Sequence, residues 1–156
     1  MEIDDLEFNC RTTGHYISIL YRLGSSYYSK EFAKFNIGSG QFAFLAYLFR
    51  NNGVSQECIS NDLIMDKGTT ARALKKLEDE GYIKREVDLE DKRAYRVFIT
   101  NKAIEIKEDF FGVLREWSEI IVSDFTEEEK EIALKLFRRM VNNQNKVLKG
   151  DTWHGE

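Results

Sequence analysis

The chain has no proline and only two cysteines and two histidines among its 156 residues. Without proline, no helix has to kink or end through a missing backbone donor, so long helices are permitted. Cys10 and Cys58 are too few and too far apart for a disulfide framework or a zinc cluster. They read as ordinary thiols of a reducing compartment. His15 and His154 lie at opposite ends of the chain, which argues against a metal site, and no cofactor is expected. No apolar run approaches the roughly 18 to 20 residues that span a bilayer. The start, Met1-Glu2-Ile3-Asp4-Asp5, is acidic rather than basic-then-apolar as in a signal peptide. Together these absences point to a cytoplasmic protein with no membrane partner. Catalytic signatures are missing too: there is no Gly-x-Ser-x-Gly, no Gly-rich phosphate loop and no His-Glu-x-x-His. Carboxylates are abundant but fall in solvated runs such as Glu127 to Glu131, and nothing asks for an enzyme.

What is present suits a globular chain large enough to bury a core, with 42% hydrophobic and 32% charged residues. A net charge of −4 argues at first sight against a nucleic-acid partner. The distribution tempers that: residues 67–96 hold nine basic and seven acidic side chains, a local excess of positive charge at helical and hairpin spacing.

Apolar periodicity predicts six helices and one strand pair. The first helix covers 11–34, with Ile17, Leu20, Tyr21, Gly24, Tyr28 and Phe32 on one stripe. After Asn36-Ile37-Gly38-Ser39-Gly40 comes a strongly apolar helix from Gln41 to Phe49, stopped by Asn51-Asn52-Gly53. Ser55 caps a short helix over 56–64, with Ile59, Leu63 and Ile64 facing inward. Asp66 caps the next, 67–80, whose core side is Ala73, Leu74 and Leu77, and Gly81 ends it. Tyr82 to Val87 and Tyr95 to Ile99 read as a hairpin with the charged tip Asp88-Leu89-Glu90-Asp91-Lys92-Arg93. Thr100 caps a helix over 101–122. Thr126-Glu127-Glu128-Glu129 is a capping box opening a helix to about 148, with Ile132, Leu136, Met140 and Val147 inside. The order α-α-α-α-β-β-α-α is that of a mainly α protein with a small β-hairpin wing, a winged helix-turn-helix plus a helical dimerisation region. Residues 36–100 form the winged unit, 1–35 and 101–150 the dimerisation region, and 151–156 a tail. An all-helical bundle would leave the strand pair and its charged tip unexplained.

The helix 67–80 turns Lys67, Gly68, Thr69, Thr70, Arg72, Lys75 and Lys76 to its outer side or flanks. A capped N-terminal turn of small polar residues is what a recognition helix presents to major-groove base edges. A plain solvated amphipathic helix has the same pattern, so the hairpin tip matters: Lys92 and Arg93 can enter a minor groove, with Asp91 holding Arg93 extended. Ser55 and Gln56, at the start of the helix-turn-helix, complete the candidate DNA contacts. Glu90 and Asp88 have no evident role at such a tip.

These segments, from about Ile17 to Asn143, resemble the multiple-antibiotic-resistance regulator (MarR) family of repressors. The resemblance lies in Asn36-Ile-Gly-Ser-Gly-Gln-Phe-Ala-Phe-Leu45, Val54-Ser-Gln-Glu-Cys-Ile-Ser, Asp66-Lys-Gly-Thr-Thr-Ala-Arg72 and Leu77-Glu-Asp-Glu-Gly-Tyr-Ile-Lys-Arg85. It continues in Asp91-Lys-Arg93 through Val97-Phe-Ile-Thr100 and in Phe125-Thr-Glu-Glu-Glu. Gly68 and Ala71 depart from it, standing where the family usually has hydroxyl residues, and Gly38 replaces a Thr-type cap. The resemblance implies a sequence-specific, double-stranded-DNA-binding regulator acting as an effector-responsive repressor. Its homodimer would interlock the first, fifth and sixth helices on a pseudo-palindromic operator, with half-sites roughly 34–36 Å apart. Phe110, Phe111, Leu114, Trp117, Ile120 and Ile121 are apolar surface that such a dimer would cover. It also implies a small aromatic or anionic effector in a crevice lined by His15, Tyr16, Tyr27, Phe44 and Tyr47. Two alternatives stay open: a winged-helix protein-interaction module without DNA binding, favoured by the near-neutral winged region, and a cysteine-based redox sensor. For the second, Cys10 lies about one turn before the family's sensing position, where Gly14 stands.

Overall fold

A computed structural model describes residues 12–92 and 94–148. Cys10, Arg93 and His154 lie outside them, as do the side chain of Val147 and the 151–156 tail. Two compact units divide the chain at Trp117/Ser118.

The first unit opens with helix α1 (Thr13–Phe32), capped where the Thr12 hydroxyl accepts from His15 N at 3.3 Å. A 3-10 turn (Ala33–Phe35) ends it at Asn36, whose φ of +56° is tolerable for a short polar side chain. Helix α2 (Phe42–Leu48) lacks a hydroxyl cap; instead Gln41 reaches back to accept from Gly38 N at 2.9 Å. Strand β1 (Val54–Ser55) leads into α3 (Gln56–Asp62), then α4 (Lys67–Asp79), strands β2 (Ile83–Val87) and β3 (Tyr95–Ile99), α5 (Asn101–Glu105) and α6 (Lys107–Ile120). Residues 107–117 of α6 belong to this unit.

The hairpin is antiparallel, with register from Ile83↔Ile99 to Val87↔Tyr95. It is also wider than the sequence suggests, because β1 pairs with β3 (Val54↔Val97), giving the order β1-β3-β2. Two residues are too few to display strand alternation, so nothing in the sequence announced this third strand. Gly53 enters it at φ +80°, and a Cβ there would stand 2.9 Å from the Phe98 ring. That close approach, like the left-handed φ, requires glycine.

The core of the unit is aromatic. Phe32, Phe44, Leu45, Leu48, Ile59, Leu74, Leu77, Val97 and Phe110 are all buried, and Phe32 stacks on Phe110 with centroids 4.8 Å apart. Phe110 is therefore core rather than surface awaiting a second subunit. Phe111 and Leu114 pack partly buried beside it, while Ile120 and Ile121 are exposed. The expected helix over 101–122 is broken at Ile106, where no proline or glycine marks the break. Ile64, expected to face inward on the third helix, instead lies past its end in the turn, exposed and at φ +53°.

In the second unit, α7 (Glu127–Leu148) begins with the expected capping box: Thr126 N donates to Glu129 Oε2 (2.8 Å) and Glu129 N to Thr126 Oγ1 (3.3 Å). Ile132, Leu136 and Met140, expected inside, are exposed. Among the described residues no helix is long and apolar enough to cross a membrane, and no cluster of three or more His, Cys, Asp or Glu is placed to hold a metal.

Candidate nucleic-acid interface

The turn from α3 to α4 and the helix itself are set by local chemistry. Ser55 Oγ accepts from Cys58 N (3.2 Å), and Asp66 Oδ1 from Thr69 N (2.8 Å), so each short helix has its first free donors satisfied. Ala73, Leu74 and Leu77 fix the buried side of α4, which leaves Lys67, Arg72, Lys75 and Lys76 exposed. Lys67 pairs with Glu57 (3.2 Å) and Lys75 with Asp79 (2.5 Å) across open solvent, where such pairs contribute little.

At the N-terminal turn three side chains form a chain of hydrogen bonds. Thr69 donates its hydroxyl to Asp66 Oδ2 (2.6 Å) and accepts from Arg72 Nη2 (3.1 Å). The Thr69 hydroxyl and amide hold the Asp66 carboxyl below the usual carboxylate range. Arg72 is thereby steered toward the exposed end of the helix. Gly68 sits within this group: a Cβ would come 3.2 Å from Asp66 Oδ1 and 3.4 Å from Arg72 Nη1. Thr70 does not belong to it. Its side chain is fully buried and its hydroxyl donates to the Asp66 carbonyl (3.0 Å), so the expectation of an outward-facing Thr70 is corrected. Position 70 shares the core side with Ala73, Leu74 and Leu77 at three- and four-residue spacing, and a back-bonded hydroxyl can be buried without loss. Ser55 and Gln56 are half-buried at the start of α3, which leaves them partly accessible.

Two ion pairs that sequence reasoning missed shape the wing. Arg85 on β2 clasps Glu78 on α4 through Nε at 3.2 Å to both carboxylate oxygens, fixing the helix against the hairpin. That contact lowers the Glu78 pKa and raises that of Arg85. Asp88, one of the acids without an evident role, is nearly buried beneath the tip. It accepts from Glu90 N (2.9 Å) and Asp91 N (3.4 Å), and from Arg96 Nε (2.6 Å). Those backbone donors, then Arg96, hold its carboxyl below the usual range. Arg96 also donates to the Gly53 carbonyl (3.1 Å), joining the tip to the loop before β1. The one sequence signal for this pair was an acid and a base flanking the same loop. Lys92 is exposed at the tip; Arg93, and so its expected contact with Asp91, lies outside the described residues.

The residues expected to line an effector crevice do not assemble. His15 and Tyr16 stack edge-on near the start of α1 (5.7 Å). The hydroxyl of Tyr47 donates to Asp62 on α3 (2.6 Å) and meets Cys58 Sγ (3.6 Å). The Asp62 bond, then burial, pushes that phenol well above its ordinary value. Tyr27 packs on Trp117 (5.2 Å) with its hydroxyl buried beside Glu116, and burial first, then Glu116, pushes it up to about 12. Of these five, only Phe44 lines a crevice of about 340 Å³ among the described residues, walled also by Tyr28, Phe42, Met65, Thr69 and Trp117. Every described side chain around it is uncharged.

Comparisons with known proteins agree with this architecture. Residues 37–95, from the turn before α2 to the start of β3, match the model of the MarR family. The uncharacterized HTH-type transcriptional regulator YybA of Bacillus subtilis is 31% identical over 81% of this chain and 85% of its own length. A MarR transcriptional regulator from Methanosarcina mazei superposes with a TM-score of 0.83 at 43% identity, covering 86% of this chain and 96% of that one. The MepR–DNA complex of Staphylococcus aureus superposes with a TM-score of 0.78 at 25% identity, over 85% of this chain and 98% of that one. The shared winged helix-turn-helix and the length of the sequence match place this chain in the MarR family of DNA-binding HTH-type transcription regulators.

Proposed function

We propose that the chain works as a cytoplasmic homodimeric repressor that reads a pseudo-palindromic operator and releases it when a small effector binds. The observation that carries the reading is the Asp66–Thr69–Arg72 chain, which sets an exposed guanidinium at the N-terminal end of α4. That is the end of a recognition helix that meets base edges, and Arg pairs bidentately with guanine. Lys67, Lys75 and Lys76 on α4, with Ser55 and Gln56, then contact phosphates or neighbouring bases. Gly68 allows close backbone approach and Thr69 positions Arg72, while Lys92 and its sequence neighbour Arg93 serve the minor groove. The fold shared with MepR, whose structure was solved with DNA, supports the same use here.

Two further observations support the finer parts. Exposed apolar side chains on α1 (Tyr16, Ile17, Leu20, Leu23) and on α7 (Ile132, Leu136, Phe137, Met140) are more than a lone chain should leave in water, and a second copy would cover them. The neutral lining of the crevice favours an uncharged aromatic effector over an anion, since none of the side chains that line it carries a charge to replace an anion's lost hydration.

Fluorescence anisotropy with DNA from upstream of the coding sequence tests the reading. The expected result is saturable binding that exceeds binding to unrelated DNA, weakened by Arg72→Ala, with transcription rising when the gene is deleted. Absence of binding at low salt would favour an interaction module instead.

A further inference from the structure

The wing ends in a turn that is held on several sides. Asp88 N donates to the Ala94 carbonyl (2.9 Å) and Ala94 N to that of Asp91 (2.9 Å), closing the loop. Inside it the Asp88 carboxylate takes the amides of Glu90 and Asp91, and Arg96 braces it from β3. On this braced turn stands Leu89, with 96% of its surface exposed. Behind it the cross-strand partners Val87 and Tyr95 are each about half exposed, at 50% and 52%. A leucine presented in this way contributes nothing to the fold, while its turn is built with more hydrogen bonds than a solvent loop needs.

The charges around it bear on its partner. With Asp88 answered by Arg96, Glu90 and Asp91 offset Lys92 and Arg93 in the sequence of the tip, whose net charge of about zero suits it poorly to hold phosphates by charge alone. The walls of a minor groove include deoxyribose edges, apolar enough to take an aliphatic side chain, and in other proteins leucines enter that groove as wedges between base steps. We infer that Leu89 is an apolar DNA contact of this wing, packing against sugar edges of the minor groove and supplying affinity that salt does not screen. The inference rests on the reading that the wing meets DNA, and it adds a residue whose signature differs from that of every cation around it.

The test is a salt series. Full-length wild type, Leu89→Ala, Leu89→Met and Lys92→Ala are titrated by anisotropy against the upstream DNA at several potassium chloride concentrations. Leu89→Ala is expected to bind roughly five-fold more weakly at every concentration, leaving the slope of log K against log salt unchanged. Leu89→Met, apolar and of similar volume, should restore most of the loss, and the melting temperatures should coincide because the side chain is exposed. Lys92→Ala should instead flatten the slope by about one counterion. Equal affinity of wild type and Leu89→Ala would overturn the inference, as would a changed slope or a loss that Leu89→Met shares. If wild type itself fails to bind the DNA, the functional reading falls and takes this with it; if wild type binds and Leu89→Ala binds equally, only the role of Leu89 falls.

Discussion

Arg96 Nε lies 2.6 Å from Asp88 Oδ2, and the same guanidinium donates through Nη1 to the Gly53 carbonyl. One side chain on β3 thus ties the tip of the wing to the loop that precedes β1. Asp88→Asn keeps the shape but removes the charge that Arg96 answers, and Asp88→Ala removes the acceptor for two amides as well. The Ala variant should speed hydrogen exchange at the amides of Glu90 and Asp91 roughly ten-fold, with core amides of α4 unaffected. Its DNA affinity should fall although no contact residue has been touched. Unchanged exchange at those amides would mean the carboxylate does not organise the tip.

Acid should weaken the fold through a small group of carboxyls. Thr69 depresses Asp66, Arg85 depresses Glu78, the amides of Glu90 and Asp91 with Arg96 depress Asp88, and Thr126 depresses Glu129. Their unfolded references are 3.8 for Asp and 4.5 for Glu, so in each case the folded protein binds the proton less readily than the unfolded chain. The stabilisation is therefore complete above about pH 5 and is lost as pH falls through the folded values. Urea midpoints should be flat from about pH 5 to 7 and drop below about pH 4, the drop being shallower in the Glu78→Gln variant.

Adjacent threonines on α4 should behave in opposite ways. Thr69 is half-buried and linked to Arg72, whereas Thr70 is fully buried and bonded to the Asp66 carbonyl. Thr70→Ala leaves a void in the core and should lower stability by about 1–2 kcal/mol with unchanged affinity per folded molecule. Thr69→Ala releases Arg72 and should weaken specific DNA binding, while Arg72→Ala should cost about 1–3 kcal/mol and relax base preference at one position of each half-site. If Thr70→Ala were the variant that changed base preference, the assignment of faces on α4 would be wrong.

The faces of α4 were legible from Ala73, Leu74 and Leu77 because three- and four-residue spacing leaves one solution for a short helix. Thr70 was not, since the same spacing admits it to the buried side and only its back-bond, invisible in a sequence, makes burial of a hydroxyl tolerable. Caps at Ser55, Asp66, Thr100 and Thr126 were legible because each depends on atoms within three residues. Contacts that depend on register across the hairpin were not: Asp88 and Arg96 are eight positions apart, and a shift of one residue in the turn would send Arg96 to the other face. The crevice was missed for a related reason. Tyr28, Phe42 and Trp117 meet only through the packing of three helices, so aromatic residues that looked equivalent along the chain, Tyr47 and Tyr27 among them, turned to Asp62 and to Trp117 instead.

Ile64 occupies a backbone state that suits it poorly. In the turn between α3 and α4 it adopts φ +53°, where the Cβ of an L-residue crowds the following carbonyl. More than half of it, 54%, is exposed, so little packing offsets a strain of about 1–2 kcal/mol. Ile64→Asn, which tolerates this conformation, should raise the melting temperature by roughly 2–4 °C. Ile64→Ala keeps the strain and should give no gain. A lower melting temperature for the Asn variant would show that the turn is held by the isoleucine side chain.

Exposure along α7 sets the last expectation. Ile132, Leu136 and Met140 recur every four residues on one side of the helix, with Phe137 and Val141 beside them, yet all are exposed in the single chain. The capping box at Thr126 and Glu129 fixes the start of this helix independently of what covers it. A charge on the apolar side should therefore leave the helix in place and act on association. Leu136→Glu should convert a dimer into a monomer in sedimentation velocity, because burying an unpaired carboxylate at an interface costs several kcal/mol. The same variant should lose operator affinity far more than one contact would explain, since two half-sites are no longer read together. A charge reversal on the other side of the helix, Arg138→Glu, should change neither. Should Leu136→Glu sediment as the wild type does, the apolar side of α7 would not be a surface of association.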